Sequence, residues 1–149
     1  MHYIKELEKE DIIYIHELDK ITSKIIADEI KNSNSGYHAY GIFIKSNIDE
    51  ETVKISLIGY CSVESAEIIS SSIYWSANSL MISEFGIIEE YQSKGYGTEL
   101  IEYVLHELPE DIALFLNIET NYDLTWYEKF GFIELEDGSI VRPEKVELD

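Results

Sequence analysis

Residues Gln92-Ser93-Lys94-Gly95-Tyr96-Gly97-Thr98 have the types and spacing of a turn that could hold a phosphate. Before them runs the apolar stretch Leu80-Met81-Ile82-Ser83-Glu84-Phe85-Gly86-Ile87-Ile88, which reads as a strand. After them, Glu99-Leu100-Ile101-Glu102-Tyr103-Val104-Leu105-His106 carries its apolar positions at helical spacing. A strand that turns through glycines into a helix leaves unpaired backbone N–H groups at the helix start. The positive end of the helix dipole lies at the same place, so an anion is favoured there. Gly95 and Gly97 let a ligand approach the backbone and can take positive φ without strain. The stretch is neither the P-loop nor the G-x-G-x-x-G dinucleotide pattern. Taken alone, it fits an ordinary strand-to-helix turn equally well.

A second segment, Leu124-Thr125-Trp126-Tyr127-Glu128-Lys129-Phe130-Gly131-Phe132, follows about thirty residues later. Together the two resemble the GNAT superfamily of acetyl-CoA-dependent N-acetyltransferases. Gln92, Gly95 and Gly97 match its Gln/Arg-x-x-Gly-x-Gly/Ala motif. Tyr127, Glu128, Lys129, Gly131 and Phe132 match its later Tyr-Glu-Lys-x-Gly-Phe type motif. Order and separation also agree, and the close match runs from Leu80 to about Leu135.

The resemblance implies an α/β (α+β) GNAT fold: a central mixed, mostly antiparallel sheet flanked by helices, with two central strands splayed apart. The arm of acetyl-CoA, the expected co-substrate, would enter that gap between Leu80–Ile88 and Ala113–Ile118. Phe85, Gly86 and Ile87 would line it, with the Ile87 N–H polarising the thioester carbonyl. The N–H groups from Ser93, Lys94, Gly95, Tyr96, Gly97 and Thr98 would hold the pyrophosphate, with Gln92 as the motif's first residue. Tyr127 occupies the place of the family's proton donor to the leaving thiolate, and a phenol of ordinary pKa near 10 suits that task. The competing reading of Tyr127 is a core aromatic. Glu84 is the candidate base, drawing the amine proton through a water, or equally a salt bridge or substrate anchor; Glu119 is the other candidate. Asn121 stands six residues before Tyr127, where the family commonly has an asparagine seven before its tyrosine that caps the helix and contacts the cofactor. Thr120 occupies the usual place, so either residue could supply the cap. Glu89 replaces a proline frequent in the family.

These residues need a scaffold. Tyr3–Leu7 reads as a first strand, with Asp11 capping a helix that turns Ile12, Ile15, Leu18 and Ile21 inward. Ser23 starts a second helix, with Ile25, Ile26 and Ile30 inward, ending near Asn32. A loop at 32–36 precedes a hairpin of Tyr37–Lys45 and Thr52–Val63. Glu64–Ser79 fits either an extra strand or a loop over the substrate pocket. Pro109 stops the helix after the glycine turn. Ala113–Ile118 is a buried strand, Asn121–Phe130 a short helix, and Phe132–Leu135 a strand returning through Ser139–Arg142.

The 149 residues suit one domain, 1–149, with 45% hydrophobic content normal for a globular protein. No apolar run is long enough to span a membrane, and Met1–Glu6 has no signal-peptide pattern. Cys61 is the sole cysteine, which excludes an internal disulfide and, with the other features, points to the cytoplasm. Its surroundings in sequence hold no base, so it reads as a packing thiol. His2, His16, His38 and His106 have no metal-ligand spacing, and no metal is expected. A net charge of −19 argues against nucleic acid as a partner. It fits a soluble acidic surface, or a cationic acceptor such as a polyamine, an aminoglycoside or a lysine side chain. Lys94 and Lys129 would offset it locally for the anionic CoA. The expected function is acetyl transfer from acetyl-CoA to a primary amine, on a small molecule or a protein, by direct attack in a ternary complex. A catalytically silent acyl-CoA-binding module of the same fold is the alternative, and a homodimer is an assembly the family allows.

Overall fold

The computed structural model describes residues 1–15, 20–31, 36–65, 79–116, 123–136 and 138–143. The segment 66–78, where a strand or a pocket loop was expected, lies outside them, as do His16, the loop residues 32–35, and Glu119, Thr120 and Asn121.

Alternating strand-forming and helix-forming stretches build one seven-stranded sheet among the described residues. Strands β1 (His2–Glu6), β2 (Tyr37–Asn47), β3 (Val53–Ser65) and β4 (Leu80–Ile87) follow one another as antiparallel neighbours. β5 (Leu114–Leu116) joins β4 in parallel, and β7 (Ile140–Arg142) then pairs antiparallel with both β5 and the edge strand β6 (Ile133–Glu134). The sheet is therefore mixed and mostly antiparallel, as expected. Its β4–β5 ladder has only the pairs Leu80–Leu114, Met81–Phe115 and Ile82–Leu116 among the described residues. β4 runs on through Ser83–Ile87 beyond the last of these described pairs.

Each sheet face carries its own core. Helix α3 (Tyr96–Glu107) lays Leu100, Ile101 and Val104 on one face, over Ile58, Cys61, Val63 and Ile82. Burying such side chains contributes about 1.5–3 kcal/mol each relative to leaving them in water. Helices α1 (Ile12–Ile15) and α2 (Lys20–Lys31) cover the other face, where Ile15 and Ile26 pack with Ala39, Phe43 and Leu57. The fourth helix-forming stretch gives α4 (Leu124–Glu128), on the α3 side.

Several expected boundaries move. The first strand lies one residue earlier, at His2–Glu6, because its register is set by pairing with Tyr40–Ile44. Asp11 does not cap a helix in the expected direction. It closes a 3₁₀ turn, Lys9–Asp11, and its buried carboxylate accepts the Glu8 N–H at 2.8 Å and pairs with Lys5 at 2.9 Å. The second helix is under way by Lys20, ahead of Ser23, since nothing between the two residues breaks a helix. Helix α3 ends as expected: Leu108 is extended, as a residue before proline prefers to be.

Candidate active site

The glycine turn takes the shape its composition suggests. A 3₁₀ turn (Glu89–Tyr91) follows β4, and Tyr91 donates its N–H to Ile88 at 2.8 Å. Ser93 (φ 62°) and Gly95 (φ 90°) then both adopt the left-handed region. Alternation of this kind around Lys94 gathers consecutive N–H groups on one concave side. Gly95 is the residue before α3, and the Glu99 N–H returns to the Gly95 carbonyl at 3.1 Å. The N–H groups of Tyr96, Gly97 and Thr98 thus precede the first helical bond and point out of the helix start. A Cβ on Gly95 would meet nothing within 4 Å, so glycine is needed there for its φ and not for space.

Gln92 acts from the side. Its Nε2 donates to the Ile87 carbonyl at 2.9 Å, tying the turn back to the end of β4. Lys94 Nζ lies 5.7 Å from the centre of the Tyr91 ring, on the exposed rim. At the helix start, Tyr96 meets His2 edge-on at 5.2 Å, and His2 Nε2 lies 2.8 Å from Glu99 Oε2.

The strand's own edge is equally specific. Ile88 donates its N–H to the Ile58 carbonyl of β3 at 2.8 Å. Backbone groups alternate along a strand, so the N–H groups of Phe85 and Ile87 point away from β3. They face the β5 side of the strand, beyond the last described pair with β5. Phe85, Gly97, Ile87 and Trp126 come together there: a Cβ on Gly97 would lie 3.7 Å from Ile87, 3.7 Å from Trp126 and 3.9 Å from Phe85. Two sequence segments thirty residues apart thus meet at one mouth.

Tyr127 stands just inside it. Its ring packs edge-on against Trp126 (4.9 Å), Phe132 (5.5 Å) and Phe85 (6.3 Å), and the residue is buried in the α3-side core. Burial pushes the phenol well above its ordinary pKa, and the nearby Cys61 adds to the shift. Cys61 itself is buried and its thiol is pushed up by desolvation, in keeping with a packing role. Neither Thr120 nor Asn121 is the residue before α4. Asp123 is, accepting the Thr125 N–H at 3.0 Å, because the helix opens only at Leu124. An aspartate directly before Leu-Thr-Trp-Tyr was the available signal. At the other end, Arg142 Nε donates to the Phe130 carbonyl at 3.1 Å, anchoring α4 to β7.

Glu84 lies on the opposite face from Tyr127. Pairing runs Ser62–Glu84 and then Val63–Ile82, so Ser83 is an extra, unmatched residue in β4. This bulge puts Ile82 in the α3-side core while Glu84 shares the α2 side with Ser62. Tyr127 and Glu84 therefore approach the mouth from two sides of the sheet. On the Glu84 side stand Tyr37 and Glu64, a cross-strand pair that sequence reasoning did not single out. Among the described residues, no group of three or more His, Cys, Asp or Glu side chains could hold a metal ion.

A strand edge beside a nest of helix-start amides is an arrangement whose free N–H groups suit an anion at the turn. Comparison with known proteins names the class of protein. Residues 39–134 match the acetyltransferase (GNAT) domain family, about two-thirds of the chain, and the protein belongs to that family. It is an acyltransferase by that membership. No curated protein matches its sequence. Among solved structures, the fold is shared with the ribosomal-protein-S18-alanine N-acetyltransferase of Escherichia coli (TM-score 0.64, 16% identity, covering 100% of this chain and 97% of that one). A tyrosine-to-phenylalanine mutant of the toxin AtaT, bound to the C-terminus of the antitoxin AtaR and acetyl-CoA, gives a TM-score of 0.68 at 15% identity over 94% of this chain and 91% of that one. A tyrosine-to-phenylalanine mutant of KacT gives 0.65 at 15% identity over 94% and 92%. No helix of the described residues is long and apolar enough to cross a membrane.

Proposed function

We propose that this protein transfers acetyl from acetyl-CoA to a primary amine by direct attack in a ternary complex. The observation that carries the reading is the mouth itself, where outward N–H groups of β4, the amides of the Ser93–Thr98 turn and the Tyr127 ring converge. The turn amides, helped by Lys94, hold the pyrophosphate of acetyl-CoA. Phe85 and Ile87 offer every-second-residue donors to an arm laid along the strand, and the Ile87 N–H polarises the thioester carbonyl. Glu84 faces the acceptor side and receives the amine proton through a water. The amine nitrogen then forms its bond to the acetyl carbon as the carbon–sulfur bond breaks. Tyr127 gives its proton to the departing sulfur; burial raises its pKa and makes it a weaker acid than the ordinary phenol expected from the sequence, so the transfer relies on its position beside the leaving group.

Free-thiol release with a panel of amines tests the reading. Tyr127→Phe should lower kcat about 100-fold, at the lower end of what a positioned acid contributes, while acetyl-CoA affinity stays as in the wild type. Turnover of Tyr127→Phe at the wild-type rate would remove the assignment of the acid. Stabilisation by acetyl-CoA without thiol release from any amine would leave a silent acyl-CoA-binding module in its place.

A further inference from the structure

Gly86 leaves a gap in the α2 face of β4, and a side chain of the neighbouring strand fills it. Tyr60 of β3 is the cross-strand partner of Gly86, and the two stand on the same face as Ser62 and Glu84. A Cβ on Gly86 would lie 2.8 Å from the Tyr60 hydroxyl oxygen, 3.0 Å from its Cζ and 3.2 Å from its Cε1. The far end of the ring is therefore the part over Gly86, so the phenol reaches across from β3 and ends on β4. Tyr60 is half-buried and packs with the α2-side core. Bond lengths put the Ile87 nitrogen within about 4 Å of that Cβ position, and so within about 7 Å of the phenol oxygen.

An acyl group whose carbonyl accepts the Ile87 N–H has few directions in which to grow. Toward Ile82 along the strand, β4 is paired with β5. On the α3 side the rings of Phe85, Trp126 and Tyr127 stand together, Phe85 lying 5.5 Å from Trp126 and 6.3 Å from Tyr127. Back toward the glycine turn runs the arm that delivers the thioester. Among the described residues, the direction left is the α2 face over Gly86, where β4 itself presents no side chain. The Tyr60 phenol caps that direction. An acetyl group ends at its methyl, about 1.5 Å beyond the carbonyl carbon, whereas each further carbon adds a similar step toward the ring.

We propose that Tyr60, laid over Gly86, sets the length of the acyl group: it admits acetyl and turns away longer chains such as butyryl. The assignment rests on the acyl-CoA site proposed above. Rejection comes from the volume of the ring, which is packed against the core and which a longer chain could pass only by displacing it. Gly86 belongs to the same device, because any larger residue there would push the phenol off the strand.

Calorimetric titration with acetyl-CoA and with butyryl-CoA, in the absence of any amine, tests the gauge. The comparison set is the wild type, Tyr60→Val, Tyr60→Phe and Tyr3→Val. The last removes a phenol from the same sheet face two strands away, where it stacks on Phe43 at 5.2 Å. The wild type should bind acetyl-CoA at least about tenfold more tightly than butyryl-CoA, the scale on which pockets tell one or two methylenes apart. Tyr60→Val should close most of that gap by binding butyryl-CoA more tightly. Tyr60→Phe, which loses only the oxygen nearest Gly86, should close part of it, and Tyr3→Val none. Equal binding of the two by the wild type, a preference for butyryl-CoA, a gap that survives in Tyr60→Val, or its equal loss in Tyr3→Val would overturn the proposal. Melting curves identify the folded variants, and Tyr60→Phe, which keeps its ring, decides the matter if Tyr60→Val does not fold. Thiol release with a panel of amines separates the gauge from the reaction. Amine-dependent release from both acyl-CoAs at equal rates overturns the gauge and leaves acyl transfer standing. Acetyl selectivity that collapses in Tyr60→Val, with no release from any amine, supports the gauge and removes the transfer. Binding of neither acyl-CoA overturns both.

Discussion

Adding one methyl group at either glycine of the turn should move stability in opposite directions. Gly95 sits at φ 90°, and a Cβ there would meet nothing within 4 Å. Gly95→Ala therefore carries no clash, only the backbone cost of a non-glycine residue in the left-handed region, about 1–2 kcal/mol. Gly97 has ordinary helical backbone, and its added Cβ would lie 3.7 Å from both Ile87 and Trp126, a normal contact. Gly97→Ala should stabilise by about 0.5–1 kcal/mol, the usual gain on replacing a helical glycine. For a chain of this size 1 kcal/mol corresponds to about 2–4 °C, so Gly95→Ala should melt about 2–8 °C below the wild type and Gly97→Ala slightly above it. Acetyl-CoA binding adds a second readout. If the free Gly95→Ala turn relaxes, binding must restore its shape, which weakens affinity about 5–30-fold for the same 1–2 kcal/mol. Gly95→Asn should recover part of both losses, because asparagine tolerates this region better. Thermal melts and isothermal titration with acetyl-CoA measure the pair. A Gly95→Ala protein that melts at or above Gly97→Ala would refute the account of the turn.

Three further outcomes follow from named contacts. Asp123→Ala removes the cap of the short helix that carries Tyr127 and should cost about 1 kcal/mol in chemical denaturation, with kcat falling by more than stability alone explains. Gln92→Ala releases the Ile87 carbonyl and should cost no more than about 1 kcal/mol of stability while weakening acetyl-CoA binding several-fold, read by titration. The Tyr40 phenol is pushed up to about 12, chiefly by burial, from an ordinary value of 10.0. Its neutral form is favoured in the fold, so its contribution is complete below pH 10 and is lost as pH rises from 10 toward 12, by about 2–3 kcal/mol. Alkaline unfolding followed by tyrosinate absorbance should show this limb, and Tyr40→Phe should make it shallower, leaving the part due to Tyr37 and Tyr127.

Much of this architecture was legible because two periodicities and two motifs agree. The alternation in β2 and β3, the helical spacing of α3 and the proline after it each specify one element locally. What escaped the sequence depends on contacts between distant residues. The first strand's register comes from β2, and the Asp11 carboxylate turns back to Glu8 and Lys5 instead of forward into a helix. The bulge at Ser83 leaves no mark in the local pattern, yet it decides the side of the sheet on which Glu84 stands. Tyr37 and Glu64, separated by the whole hairpin, look like ordinary strand residues until the pairing sets them side by side.

The three-rung junction of β4 with β5 has a mechanical meaning as well. β2 and β3 are laced by eleven pairs, whereas the piece bearing β5, α4, β6 and β7 joins the larger sheet through three among the described residues. Among the described residues, Tyr127 thus rides on the more lightly sewn side of a seam, with the glycine turn on the other. A molecule lodged across that seam would act as a stitch, drawing the two pieces into one cooperative unit and suppressing their independent opening. In such a protein the substrate completes the sheet that will transform it.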